Sequence, residues 1–264
     1  MSAGSFETIR VSTTEAASVP GTETVAHVYR GTGKRSHLGI VILPIQGAEY
    51  EVSTLFAEHF VKHGFSVLRF ERRAEWLVAS RAPESLATLV EAYSADVQEG
   101  IRRWREMAPE VTRMGLFGVS MGAIIGTVVA AKVPGFEALV LVMGGGPLAE
   151  ILVTARDEEI NEFRRDLAAR LEVPEAALEE LYHRVLQDWE PLSFASQVQV
   201  ERQRILVVAS LLDRVVRYPL QRRLWESLGR PPRMRLPCGH YWAVLFLPLI
   251  KRLSVRWFMR WLAA

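Results

Sequence analysis

Ser120 stands between Gly118 and Gly122 in the stretch LFGVSMGA, residues 116–123. An apolar run with strand character, RMGLFG, ends just before it, and a run with helical spacing, MGAIIGTVVAAKV, starts just after it. A serine at such a junction sits on a very tight turn, where side chains on its neighbours would collide. The two glycines answer that demand. The turn lifts the hydroxyl above the rim of a sheet, and the helix N-terminus beneath it favours negative charge. This is a place for a nucleophile. The competing reading is a glycine-rich turn in which Ser120 only caps the helix.

A serine hydroxyl needs a histidine to take its proton and a carboxylate to hold that imidazole. Asp213 lies just past the apolar run ILVVAS, and His240, preceded by Gly239, lies in a loop after RMRLP. Taken singly, Asp213 reads as a solvated loop carboxylate and His240 as a packed loop histidine. Taken together, the order Ser120, Asp213, His240, each at the end of a strand-like run, favours one catalytic unit. Asp188 and Glu190 are the next carboxylates in line for the acid's role.

The elements that must position these residues follow from periodicity. FETIRVST and ETVAHVYRG read as strands around the turn Pro20–Gly21. LGIVILP has the β-branched content of a strand buried on both faces. STLFAEHFVKHG reads as a helix with Gly64 as its C-cap, FSVLRF as a strand, and ESLATLVEAYSADVQEGIRRWREM as a long amphipathic helix. After EALVLVMGG the alternation breaks. Residues 147–200 carry two or three charged amphipathic helices, with Pro174 between them. QRILVVAS resumes the pattern, PLQRRLWESLG follows as a helix and RMRLP as a strand. YWAVLFLPLIKRLSVRWFMRWL closes the chain as an aromatic helix interrupted at Pro248. Alternating strands and helices imply an α/β protein with a mostly parallel sheet flanked by helices, and right-handed crossovers bring the functional strand ends to one rim. The division expected is a core of 1–146 and 201–264, with 147–200 inserted as a helical cap.

Composition narrows the function classes. The chain has 264 residues, 49% hydrophobic and 23% charged, as in an ordinary globule. A net charge of +2 does not call for nucleic acid as a partner. The single cysteine, Cys238, excludes an intramolecular disulfide and a multi-cysteine metal cluster. The N-terminal residues lack the pattern of a secretory signal, and no apolar run reaches the length of a membrane span, so a cytoplasmic location is the expectation.

With these residues in place the chain resembles the α/β-hydrolase family, in its serine hydrolase, carboxylesterase-like branch. The likeness runs from about residue 23 to the end, with 147–200 as the variable cap. GVSMG matches the family's nucleophile elbow in full, LLDRVV resembles its acid loop and CGHYW its histidine loop. The resemblance implies Ser120 as nucleophile, His240 as general base and then acid, and Asp213 as the orienting carboxylate. It implies an oxyanion hole from the backbone N–H of Met121 and a second N–H in the loop LPIQGAEY. Many members have a His-Gly pair in that loop, and this chain does not. A backbone donor needs no particular side chain, so the second donor stays open between Gln46, placed ahead by counting from the strand end, and Ile45. The implied chemistry is hydrolysis of a small carboxylic ester, with thioester, amide or lactone cleavage and acyl transfer on the same machinery, and with no metal or organic cofactor. A non-catalytic protein that binds a ligand in the cap cleft is the alternative from another class.

Several further residues invite a role. Tyr241 and Trp242 follow the histidine and are expected to line the acyl pocket. Glu71, Arg72 and Arg73 follow a strand end, where Arg72 could meet an acidic substrate, although a solvated or paired charge cluster is the stronger reading. His59 and His63 have metal-binding spacing but no carboxylate between them, so helix packing or solvent is favoured. Cys238 is expected to be a buried loop thiol. The aromatics and arginines of the final helix would suit a membrane surface, but packing on the sheet is favoured, with homodimer contacts a further alternative.

Overall fold

Six consecutive buried residues, Leu38–Leu43, form strand β3 in the computed structural model, which describes residues 6–11, 24–45, 51–71 and 84–264. The strand alternates as its pleat requires. Val41 and Leu43 enter one hydrophobic cluster, and Leu38, Ile40 and Ile42 enter another on the opposite face. Burial on both faces is why the run carries no polar residue.

Around β3 lie β1 (Phe6–Val11), β2 (Thr24–Tyr29), β4 (Ser66–Phe70), β5 (Arg113–Val119), β6 (Phe136–Val142), β7 (Ile205–Ser210) and β8 (Arg233–Leu236). Among the described residues they make an eight-stranded sheet ordered β1-β2-β4-β3-β5-β6-β7-β8. The β1–β2 and β2–β4 pairs are antiparallel, and every other pair is parallel. The mostly parallel sheet expected from the alternation is therefore present. The expected Pro20–Gly21 turn lies outside the described residues.

Helices cover both faces. One face takes α1 (Glu51–Lys62) through Phe56 and Phe60, and α9 (Leu247–Leu262) through Ile250, Val255 and Phe258. The other takes α2 (Glu84–Met107), α3 (Met121–Lys132) and α8 (Tyr218–Ser227). In α2 the side chains of Tyr93, Val97, Ile101 and Trp104 recur every three or four residues and form one fully buried stripe. Gly64 ends α1 at φ 88°, the left-handed conformation of a helix C-cap.

The break in alternation is real, with more helices than periodicity suggested. Residues 147–200 form α4 (Leu148–Thr154), α5 (Glu158–Leu171), α6 (Leu178–Leu186) and α7 (Pro191–Ala195). Short polar turns between them hide the smallest helices from a period count. Leu148, Ile160, Phe163, Leu178 and Tyr182 join Ile124, Val215 and Leu220 in a cluster of their own. The chain's end also differs from one interrupted helix: Tyr241–Phe246 is a 3-10 helix, and Pro248 lies in the first turn of α9. Proline suits that position because its missing N–H has no partner there in any case.

Candidate active site

The parallel strands β5, β7 and β8 all end on one rim, and each delivers one residue. Ser120 directly follows β5, Asp213 follows β7 by three residues, and His240 follows β8 by four.

Ser120 has φ 54° and ψ −120°, a conformation that costs a side-chain-bearing residue about 1–3 kcal/mol. The surroundings hold it there. Its N–H donates to the Val142 carbonyl at 2.8 Å, and its own carbonyl accepts from Ala123 and Ile124. Each flanking glycine is needed for space. A Cβ on Gly118 would lie 2.2 Å from the Gly122 carbonyl oxygen, and one on Gly122 would lie 2.7 Å from the Leu43 carbonyl oxygen. The Ser120 side chain caps nothing on α3, which disfavours the plain helix-cap reading. Met121 is the first residue of α3, so its N–H has no intrahelical acceptor.

Asp213 is buried and fully engaged. Its Oδ1 accepts from the N–H groups of Val215 (2.8 Å) and Val216 (2.9 Å), and its Oδ2 accepts from His240 Nδ1 at 2.7 Å. A carboxylate only accepts, so Nδ1 carries the proton and Nε2 is left as the acceptor. The histidine loop is tied to the acid loop by main-chain bonds from Leu211 to Leu236 and from Leu212 to Cys238, both 2.9 Å. The Ser210 hydroxyl donates to the same Cys238 carbonyl at 2.5 Å. Cys238 is buried, as expected, and serves this loop-to-loop seam.

Ser120 and His240 face one cavity of about 520 Å³. Among the described residues no hydrogen bond joins the serine hydroxyl to the imidazole; such bonds often tighten only with substrate in place. The cavity's inner wall is apolar, from Val52, Phe56, Val119, Val142, Leu247 and Ile250. Asp157, Glu158, Glu159 and Glu162, at the start of α5, form one lip. The Tyr241 hydroxyl donates to Asp157, tying the histidine loop to that lip. Burial, then this hydrogen bond and the Asp157 charge, push the Tyr241 phenol well above its usual range.

Of the remaining candidates, Tyr241 and Ile45 line the cavity. Gln46, Arg72 and Arg73 lie outside the described residues. Trp242 does not line the cavity and is 68% exposed. Consecutive residues of a helix point about 100–120° apart, so with Tyr241, Val244 and Leu247 on the inner side the neighbouring Trp242 turns outward. Glu71 is structurally paired, 2.5 Å from His27 Nε2 and 3.5 Å from Arg69. The His59 and His63 rings lie 4.5 Å apart, and His63 Nδ1 bonds the His59 carbonyl at 2.8 Å. Burial is the main reason the His59 pKa is lowered to about 4. Glu190 spends both oxygens on the N–H groups of Leu148 and Leu192, and burial raises its pKa.

Gln221 is a participant that the sequence reading missed. It is buried on α8, donates from Nε2 to Asp213 Oδ2 (3.1 Å) and the Val216 carbonyl (2.6 Å), and accepts from Ser210 N–H (3.0 Å). The signal available was a polar residue next to Leu220 on the buried face of an amphipathic helix.

This arrangement of sheet, elbow and loops is the α/β-hydrolase fold, and solved structures of that fold superpose on the chain. The acylaminoacyl peptidase of Pyrococcus horikoshii matches with a TM-score of 0.67 at 15% identity, over 100% of this chain and 42% of that one. The esterase Pf2001 of Pyrococcus furiosus matches with a TM-score of 0.66 at 14% identity, over 98% and 93%. Est1E of Butyrivibrio proteoclasticus matches with a TM-score of 0.61 at 13% identity, over 95% and 98%. The chain thus spans less than half the length of the peptidase and nearly the whole length of the two others. No protein-family model matches the chain, and no curated protein matches it in sequence. No helix among the described residues is long and apolar enough to cross a membrane.

Proposed function

We propose that the protein is a serine hydrolase that cleaves a small carboxylic ester through an acyl-enzyme on Ser120. The observation that carries this reading is the 2.7 Å Asp213–His240 bond on the rim of the cavity that Ser120 enters from a strained turn. The structural neighbours named as esterases and a peptidase agree with it at the level of fold.

In this reading Ser120 Oγ attacks the ester carbonyl while neutral His240 takes its proton at Nε2. The negative oxygen that forms is held by the Met121 N–H and by a second N–H at Ile45 or Gln46. Collapse expels the alcohol, which takes the proton back from His240. Water then repeats the sequence with His240 as base and releases the acid. Asp213 keeps the imidazole in the tautomer that can accept. Residues 147–200 act as a cap, because the start of α5 forms a lip of the cavity. An apolar inner wall favours an acyl chain over a charged acid portion.

A fluorophosphonate probe tests the proposal, since it reacts only with an activated serine. Mass spectrometry is expected to place the adduct on Ser120, and Ser120→Ala to abolish it. An adduct on another serine, or none on the folded wild type, would overturn the reading.

A further inference from the structure

We propose that the outer face of the 241–249 segment, with Leu212 beside it, is a docking surface for an anionic phospholipid membrane. Trp242, Leu245 and Leu249, none of which lines the cavity, are exposed, and Leu212 is 65% exposed. Leu212 lies beside the start of the segment: its N–H bonds the Cys238 carbonyl, and a Cβ on Gly239 would lie 3.5 Å from the Leu212 carbonyl oxygen and 3.8 Å from the Trp242 ring. A folded chain seldom leaves this many large apolar side chains together in water unless they meet something. Tryptophan, apolar with one polar atom, suits the boundary between headgroups and acyl chains.

Charge selects the occupant. Leu249, Arg252, Arg256 and Arg260 recur every three or four residues along α9 and are all exposed, and exposed Leu245 precedes them in the 3-10 helix, so the exposed side passes from apolar to cationic. Residues 240–264 contain no acidic side chain. With α9 tilted to the membrane, the leucine end would enter the acyl boundary while the arginines meet the lipid phosphates. Glu158 and Glu162 line the cavity, so the side of the segment turned away from the cavity is the one that meets the anionic surface. A second copy of this chain is the competing occupant, because its acidic lip would match the arginines. The gradient along the stripe favours a layered surface over a protein.

Docking is independent of the hydrolase reading, because binding needs no turnover; only delivery of a membrane ester to the cavity rests on that reading. The experiment is sedimentation of the full chain with vesicles of phosphatidylcholine alone or with about 30% phosphatidylglycerol. Binding is expected on the anionic vesicles, about tenfold weaker on phosphatidylcholine alone, and weakened by added salt. Leu245→Ser with Leu249→Ser, and separately Arg252→Glu with Arg256→Glu, are each expected to lower binding about tenfold or more. None of these four residues lines the cavity, and unfolding midpoints check that the variants fold. Absence of binding to anionic vesicles by the wild type, or binding indifferent to both double variants, would overturn the proposal. So would sedimentation equilibrium showing a vesicle-free dimer that Leu245→Ser with Leu249→Ser dissociates, which would assign the patch to a second copy.

Discussion

Asp213 holds His240 with one carboxylate oxygen and is itself held by the other. The Oδ2 atom meets Nδ1 at 2.7 Å, while Oδ1 is locked by the N–H groups of Val215 and Val216. The carboxylate therefore cannot rotate without losing two main-chain bonds, and the imidazole inherits its orientation.

Replacing Asp213 by Asn is expected to separate orientation from packing. The amide oxygen keeps the two main-chain bonds, so the NH2 group faces Nδ1, which must then accept. The proton moves to Nε2, and His240 can no longer take one from Ser120. Turnover of a chromogenic ester is expected to fall about 10⁴-fold. The new NH2 group also opposes Gln221 Nε2, costing about 1–3 kcal/mol on chemical denaturation. Near-full activity would move the acid's role elsewhere.

Ser120→Ala is expected to remove ester turnover and leave stability little changed, since Ala meets the same backbone strain. Ser120→Gly removes the activity equally and relieves the φ 54° strain. After the entropic cost of glycine, a net gain of about 1 kcal/mol is expected, or about 2–4 °C in the melting midpoint. Calorimetry of the two variants side by side checks this, and a Gly variant less stable than the Ala variant would contradict it.

Gln221→Leu leaves the buried Ser210 N–H and Val216 carbonyl without their side-chain partner and takes one donor from Asp213. The expected cost is about 2–4 kcal/mol of stability. Because Gln221 acts through Asp213 and does not line the cavity, kcat is expected to fall about tenfold with KM unchanged. A rise in KM alone would contradict this positioning role.

His59 gives the fold an acid-sensitive contribution. Burial first, then the charges of His63, Lys251 and Lys62, hold its pKa at about 4 instead of 6.5. Between those values the unfolded chain takes up a proton that the folded chain refuses. The stabilisation is therefore present above about 6.5 and is lost as pH falls towards about 4. With solvent screening of this partly exposed side chain, about 1–2 kcal/mol is at stake. Denaturation at pH 7 and pH 4.5 is expected to show a smaller difference in His59→Leu than in the wild type. An unchanged difference would place the acid sensitivity elsewhere.

The sheet and the positions of Ser120, Asp213 and His240 were legible because their signals are local. Strand β3 is an unbroken apolar run, and the elbow needs two glycines at fixed offsets. Partnerships made across the fold were not legible. Gln221 reaches Asp213 because α8 packs over β7, and Tyr241 reaches Asp157 from 84 residues away. Trp242 stays out of the cavity for a smaller reason: neighbouring residues of a helix face different sides, and Tyr241 holds the inner one.

The contact of Gly122 with the end of β3 has a mechanical meaning. A methyl group there would meet the Leu43 and Pro44 carbonyl oxygens at 2.7 and 2.8 Å, so the serine turn and the Leu43–Pro44 backbone touch directly. No side chain lies between them to absorb displacement. A shift of a few tenths of an ångström at Leu43 or Pro44 must be passed on to the turn, and the reverse also holds. Changes that move the end of β3 are therefore transmitted to the nucleophile even when they touch nothing in the cavity.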